Sequence, residues 1–311
     1  MAKSYDVIVI GAGPGGMTAA LYASRSNLSV LMLDRGIYGG QMNNTAEVEN
    51  YPGFKSILGP ELGEKMYASA TQFGAEYGYG TVNSIEDKGE FKLVHTDEGD
   101  FQARAVIIAT GSEHKKIGIP GEDEYGGRGV SYCAVCDGAF FKNKEVVVIG
   151  GGDSAIEEGL YLTQLASKVT VIHRRDQLRA QKILQDRAFA NDKMAFVWNA
   201  QVKTIEGDDK KVAAVTYVDK ESGETKEVPA SGVFIYVGID PMTSAFKDLG
   251  ILTEAGWVKT DDHMATSVPG IFAIGDVREK DLRQITTAVG DGGIAGQEVF
   301  KYIQSIGKLQ V

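Results

Sequence analysis

The chain has 311 residues, and its 32 lysines and arginines against 42 aspartates and glutamates give a formal net charge of -10. That balance argues against nucleic acid as the main partner, since phosphate backbones need clustered basic side chains; the length favours about two domains. Two cysteines are too few for a disulfide framework, and in a cytoplasmic chain, the expected address, a close pair reads as redox or metal chemistry.

Residues 7–23 are apolar enough to raise a secretory signal, but Gly11, Pro14, Gly15 and Gly16 interrupt them and no basic start of any weight precedes them. No apolar run reaches the roughly 18 residues of a membrane span, so no membrane partner is expected.

Tyr5-Asp6-Val7-Ile8-Val9-Ile10 has the pattern of a strand buried on both faces. It runs into Gly11-Ala12-Gly13-Pro14-Gly15-Gly16, then a helical stretch to about residue 25 and a second strand over 28–33 that ends at Asp34. These parts make a complete dinucleotide fingerprint. Gly11 permits the tight turn, Gly13 lets backbone approach a pyrophosphate, Gly16 lets helix pack on strand, and Asp34 can accept from a ribose hydroxyl. Gly39-Gly40-Gln41 and Glu49-Asn50-Tyr51-Pro52-Gly53 follow as polar loops able to line a ligand, although spacing alone assigns them no role. A helix is expected over 61–74, then strands near 80–85, 91–95 and 103–109, the last ending in Ala109-Thr110-Gly111-Ser112.

The cysteines come next, in Cys133-Ala134-Val135-Cys136-Asp137-Gly138. Asp137 is a carboxylate placed to protonate a leaving thiolate as general acid. A second fingerprint follows: a strand over 144–149, Gly150-Gly151-Gly152-Asp153-Ser154-Ala155, a helix to about residue 165, and a strand over 168–173. Its rim differs in sign from Asp34. His173-Arg174-Arg175 and Arg179 stand where the ribose-reading residue belongs, and guanidinium groups can bind a 2′-phosphate that a carboxylate would repel. Two different dinucleotides are therefore expected, FAD on the first fingerprint and NADPH on the second.

Strands are expected over 194–205, 212–218 and 232–237, separated by charged turns at 206–211 and 219–226. Ile271-Phe272-Ala273-Ile274 reads as a further buried strand ending in Gly275-Asp276, and helix signals return after Gly290-Asp291-Gly292-Gly293. This return looks like re-entry into the first domain. The expected fold class is α/β, with two dinucleotide-binding, Rossmann-like domains and the NADPH domain (116–243) inserted into the FAD domain (1–115 and 244–311).

With these motifs assembled, the chain closely resembles the low-molecular-weight thioredoxin reductases of bacteria over essentially its whole length. The most specific part is Cys133 to Gly138, close before Gly150 to Ala155 and the run His173-Arg174-Arg175 with Arg179. Val135 and Asp34 depart from the residues common in that family, threonine and glutamate. The resemblance implies that Gly11, Gly13, Pro14, Gly15, Gly16, Asp34, Arg35, Gly40, Gln41, Asn50, Thr110, Gly111, Gly275, Asp276, Arg283, Gln284 and Ile285 hold FAD. It implies that Gly150, Gly152, Asp153, Ser154, Ala155, His173, Arg174, Arg175, Arg179 and Gly238 hold NADPH.

The resemblance further implies a homodimer that reduces a separate thioredoxin-like protein. Catalysis falls to Cys133, which attacks the partner, Cys136, which faces the flavin, and Asp137, with rotation of the inserted domain about crossings near residues 113–120 and 238–244. Other readings stay open: another small acceptor such as a glutaredoxin-like protein, or a ferredoxin or flavodoxin reductase, whose relatives lack the dithiol. A zinc site needs about four ligands, and His95, His114, His173 and His263 are all distant in sequence from the cysteines. A non-enzymatic flavin protein would need neither the arginines nor the dithiol.

Overall fold

The computed structural model describes residues 3–44, 47–48, 50–208 and 210–307. It forms two compact units, one of Met1–Glu113 with Asp240–Val311 and the other of His114–Ile239. The sequence reading put these divisions at 115/116 and 243/244; the structure puts them at 113/114 and 239/240. Among the described residues the α-helices are α1 Pro14–Arg25, α2 Gly59–Thr71, α3 Ala134–Asp137, α4 Asp153–Leu162, α5 Lys182–Phe189 and α6 Ile285–Ser305.

In the first unit the strand Lys3–Ile10 lies between Val30–Asp34 and Gly99–Ile108, parallel to both. Glu76–Tyr79 extends one edge in parallel, Lys92–Thr96 and Val82–Asp87 extend the other as an antiparallel hairpin, and Ile271–Ala273 pairs in parallel with the end of Gly99–Ile108. Val7 and Val9 pack with Met17 and Ala20 of α1 and Val299 of α6, whereas Ile8 and Ile10 join Phe246, Ile251 and Val258 on the opposite face. Both faces are covered, which explains why the run 7–10 is apolar at every position instead of at alternate ones.

The second unit repeats the logic. Its parallel sheet runs Val130–Ser131, Gly232–Tyr236, Glu145–Gly150, Lys168–Ile172, Met194–Val197. Val146 and Val148 face one core with Ile156 of α4, while Val147 and Ile149 face another with Val215 and Ile235. A three-stranded antiparallel sheet, Ala200–Gly207, Val212–Asp219 and Thr225–Pro229, completes the unit. The expected strand over 194–205 is thus two strands, broken where Asn199 takes a left-handed φ of 49°. The expected turn over 219–226 is shorter than its charge suggested, because exposed Thr225–Pro229 pairs as an edge strand.

The last helix also differs. Helix signals were expected only after residue 293, yet α6 begins at Ile285 and carries Gly290, Gly292, Gly293 and Gly296 inside it. Two of these glycines are contact surface. A Cβ at Gly292 would stand 2.4 Å from Gly15 O, and one at Gly296 would stand 2.6 Å from Tyr22 Cβ. Glycine costs a helix up to about 1 kcal/mol against alanine, and the close seat of α6 on α1 offsets it.

Candidate active site

Lys3–Ile10 delivers the chain into a turn shaped for glycine. Gly11 has φ +107°, and a Cβ there would lie 2.3 Å from Ala109 O. A Cβ at Gly16 would meet Gly11 O at 1.9 Å, so helix and strand approach this closely only without one. Gly15 packs against Ala288 of α6. Gly13 serves differently. It N-caps α1 just ahead of Pro14 with no side-chain hydrogen bond, and nothing lies within 4 Å of where its Cβ would be. Open space before a helix N-terminus is a cradle for phosphate.

Asp34 is tied to this turn, its Oδ2 accepting from Ala12 N at 2.7 Å and its Oδ1 from Gly36 N at 2.9 Å. Each oxygen retains a lone pair for a ribose hydroxyl. The loop with Gly40 and exposed Gln41 lies close by, since a Cβ at Gly40 would come within 3.1 Å of Gly13 Cα. Arg35 is exposed and ion-paired with Glu113. Thr110 Oγ1 donates to Met242 O at 2.7 Å and Met242 N to Gly111 O at 3.0 Å, while Gly111 itself, at φ +73°, borders open space. Asn50 Nδ2 donates to Gln284 Oε1 at 3.0 Å, and Gln284 forms a capping box with Thr287 that starts α6 at Ile285. Glu49 lies outside the described residues.

Gly275 opens a short 3-10 turn at φ +71°, and there Asp276 Oδ1 is buried without a hydrogen-bond partner. Burial pushes the Asp276 pKa up, against the pull of Lys280 and Arg283. A buried carboxylate oxygen without a protein partner has room to accept from a bound ligand or water. Arg283 stacks its guanidinium 3.9 Å from the Trp257 ring centre, and burial pushes its pKa down. Sequence reasoning missed Asp291, whose Oδ2 takes Gly275 N at 2.9 Å, Lys280 Nζ at 2.9 Å and Arg278 Nη1 at 3.0 Å. It sits among glycines that read as a loop, so no local signal marked it.

The second turn has the same division of labour. A Cβ at Gly150 would meet Tyr236 O at 2.5 Å and Ala155 Cβ at 2.8 Å, whereas Gly152, the N-cap of α4, borders open space. The loop bearing the arginines is stitched onto it. Arg179 N and Ala180 N donate to Gly151 O at 2.7 and 3.2 Å, and Gln181 N donates to Asp153 Oδ1 at 2.6 Å. Arg174, Arg175, Arg179 and Ser154 are exposed, so a basic rim faces solvent at the end of Lys168–Ile172. His173 is buried against Gly151 with Nε2 unpartnered, and burial pushes its pKa down. Gly238, at φ +124°, is set against Lys115, whose N donates to Gly238 O at 3.0 Å.

Cys133 is disulfide-bonded and stands immediately before α3; the side chain of Cys136 lies outside the described residues. Ser131, buried and unremarked in the sequence, accepts from Cys133 N at 3.1 Å and donates to Asp137 Oδ2 at 2.6 Å. One hydroxyl thereby fixes Asp137 relative to the cysteine. Buried Glu122 accepts from Ile117 N at 3.0 Å, Gly118 N at 2.7 Å and the Tyr132 hydroxyl at 2.7 Å, which ties the first crossing to the residue before Cys133. Among the described residues no group of His, Cys, Asp and Glu could hold a metal ion, and no helix is long and apolar enough to cross a membrane.

The open glycine cradles and the unpartnered Asp276 Oδ1 and His173 Nε2 fit two dinucleotides. With a disulfide-bonded cysteine in the same unit as the basic-rimmed turn, they define a flavin- and nicotinamide-dependent disulfide oxidoreductase. Residues 5–292 match the family of pyridine nucleotide-disulphide oxidoreductases. The chain is 62% identical over 304 residues to the thioredoxin reductase of Bacillus subtilis, covering 98% of this chain and 96% of that one. It is also 62% identical to the thioredoxin reductase of Listeria innocua, covering 98% and 95%. The crystal structure of thioredoxin reductase from Streptococcus pyogenes superposes with a TM-score of 0.83 at 59% identity, covering 98% of this chain and all (100%) of that one. The chain belongs to the pyridine nucleotide-disulphide oxidoreductase family, and within it to the thioredoxin reductases.

Proposed function

We propose that the chain is an NADPH-dependent thioredoxin-disulfide reductase, with FAD and NADPH as its cofactors. The observation that carries this reading is a disulfide-bonded Cys133 in the same compact unit as a glycine turn rimmed by arginines, while the acid-rimmed turn lies in the other unit. FAD is assigned to the first turn, with Asp34 on its ribose and Asp276 Oδ1 on a hydroxyl of its ribitol side. NADPH is assigned to the second, where Arg174, Arg175 and Arg179 bind the 2′-phosphate. When bound, FAD would supply two-electron chemistry, linking hydride transfer from NADPH to the electron pair that opens the disulfide.

The protein's own residues do the rest. Cys136 is assigned as the cysteine that takes the electron pair from the flavin. Asp137, held by Ser131, gives a proton to the thiolate that departs. Cys133 then attacks the disulfide of a separate thioredoxin, its sulfur forming a mixed disulfide that the second thiol resolves. Dithiol and NADPH turn belong to one unit and the flavin turn to the other, so the two electron transfers are served by rotation of one unit against the other. The pivot of the first crossing falls before Ile117, because Glu122 binds Ile117 and Gly118 to the second unit. The working form is a homodimer in the cytoplasm.

One titration tests this. The yellow flavin spectrum bleaches with NADPH and far less with NADH, and added thioredoxin sustains NADPH oxidation. Cys133→Ser or Cys136→Ser stops that turnover and spares bleaching. Thioredoxin reduction by both serine variants would refute the assignment. Replacing Arg174, Arg175 and Arg179 with alanine together removes the preference for NADPH, and unchanged selectivity takes them out of the site. A disulfide engineered across the crossings stops turnover with flavin still bound; undiminished turnover rules rotation out.

A further inference from the structure

The corner behind α3 holds a pair of side chains to which the mechanism above gives no role. Tyr236, at the end of its strand, accepts with its hydroxyl from Ala134 N at 2.8 Å, and Ala134 is the residue directly after Cys133. The same hydroxyl lies 3.4 Å from Glu158 Oε2 on α4 and donates toward it. One tyrosine therefore couples a carboxylate to the first backbone donor beside the reactive cysteine. Glu158 is part-buried, and burial pushes its pKa up while the N–H groups of Ala134 and Val135 pull it back. Among the described residues, the other charged groups felt by Glu158 and Tyr236 are Glu157 on α4 and Asp137 on α3. All are acidic.

A thiolate on Cys133 is disfavoured in this setting for two reasons. The N–H of Ala134, the next residue, already donates to the tyrosine hydroxyl, and a carboxylate coupled to that corner opposes a second negative charge. We propose that Glu158, acting through Tyr236 on the start of α3, is a positioning residue that keeps Cys133 a thiol and restrains its nucleophilicity. Cys133 in the reduced enzyme is then slow toward small electrophiles and disulfides in bulk solution. The inference rests on Cys133 as the exchanging thiol.

The test uses flavin-loaded, dithiothreitol-reduced enzyme freed of reductant. Alkylation of Cys133 by iodoacetamide is followed across pH by peptide mass analysis. In Glu158→Gln the profile moves to lower pH, and the rate at pH 7 rises about fivefold. Tyr236→Phe keeps the ring and loses the hydroxyl, moving the profile the same way by about twofold. Glu158→Asp keeps the charge and stays close to the parent.

A second readout is equilibrium with glutathione at pH 9. Two glutathione thiols give up an electron pair and two protons to become glutathione disulfide, and the Cys133 disulfide bond opens to two thiols. Glu158→Gln shifts this equilibrium about fivefold toward the dithiol. An unmoved profile and equilibrium in Glu158→Gln overturn the proposal, as does Glu158→Asp behaving like Glu158→Gln. Should Glu158→Gln fail to fold, an unmoved Tyr236→Phe profile overturns it equally. Neither assay contains thioredoxin or NADPH, so failure to reduce thioredoxin would sink the functional reading and leave this result separate.

Discussion

Gly151→Ala is a sharp test of how the second nucleotide turn is built. An ideal Cβ at this position falls 2.3 Å from His173 Nδ1 and 2.4 Å from its Cε1. Carbon and nitrogen rest at about 3.5 Å, so the overlap exceeds about 1 Å. His173 has little room to yield, being 4% exposed and edge-on to Trp198 at 6.4 Å. The backbone is held too, because Gly151 O takes both Arg179 N and Ala180 N. Ring and arginine loop must therefore move together. Overpacking of this kind costs about 1–3 kcal/mol, and where that strain is relieved by displacing Arg179, NADPH binds about 5- to 150-fold more weakly. Titration of the flavin-loaded variant with NADPH measures this, and flavin content, assigned to the turn of the other unit, serves as the control. Unchanged NADPH affinity with full flavin content would refute the coupling of Gly151, His173 and the arginine loop.

Gly292→Ala pits helix propensity against packing. The alanine gains up to about 1 kcal/mol in α6, but its Cβ would lie 2.4 Å from Gly15 O and 2.9 Å from Thr18 Cβ, a clash worth about 1–3 kcal/mol. The expected results are a lower Tm and looser flavin, and a raised Tm contradicts the packing argument. For Asp276 the sign follows from its raised pKa: between the unfolded and folded values the folded protein binds more protons, so flavin-free protein loses stability as pH rises above about 4. Asp276→Asn therefore raises the Tm of flavin-free protein at pH 7 and leaves it unchanged near pH 3, while flavin binding weakens about tenfold; equal Tm values at pH 7 count against the sign. Ser131→Ala leaves Asp137 Oδ2 without its 2.6 Å donor, and thioredoxin turnover falls about tenfold with bleaching by NADPH intact. Parallel losses in both assays would show a general folding defect instead.

Local pattern was enough to recognise both nucleotide turns, because their chemistry is local. The glycine spacing, the apolar strand before each turn and the residue ending the next strand lie within a short stretch, and backbone sterics leave few other uses for such a string. Cys133, Asp137 and the contrast between Asp34 and the arginines are equally local signals. The limits of α6 were not legible. Gly290, Gly292 and Gly293 look like a loop by propensity, and only α1, some 270 residues earlier in the chain, makes their missing side chains useful. Asp291 disappeared into that misread segment.

What sequence alone determined is the class of chemistry: two nucleotide turns of opposite rim charge and one cysteine pair. Tertiary structure decided which side chains serve them. Ser131, ending a short strand, and Glu122, on a loop, bind the dithiol segment, Tyr236 and Glu158 reach it from a strand and a helix, and Asp291 reaches Gly275 from α6. A side-chain hydrogen bond requires only that two atoms come within about 3 Å, and it leaves no periodicity in the chain that makes it. Such partners become visible when the sheets have set the distances.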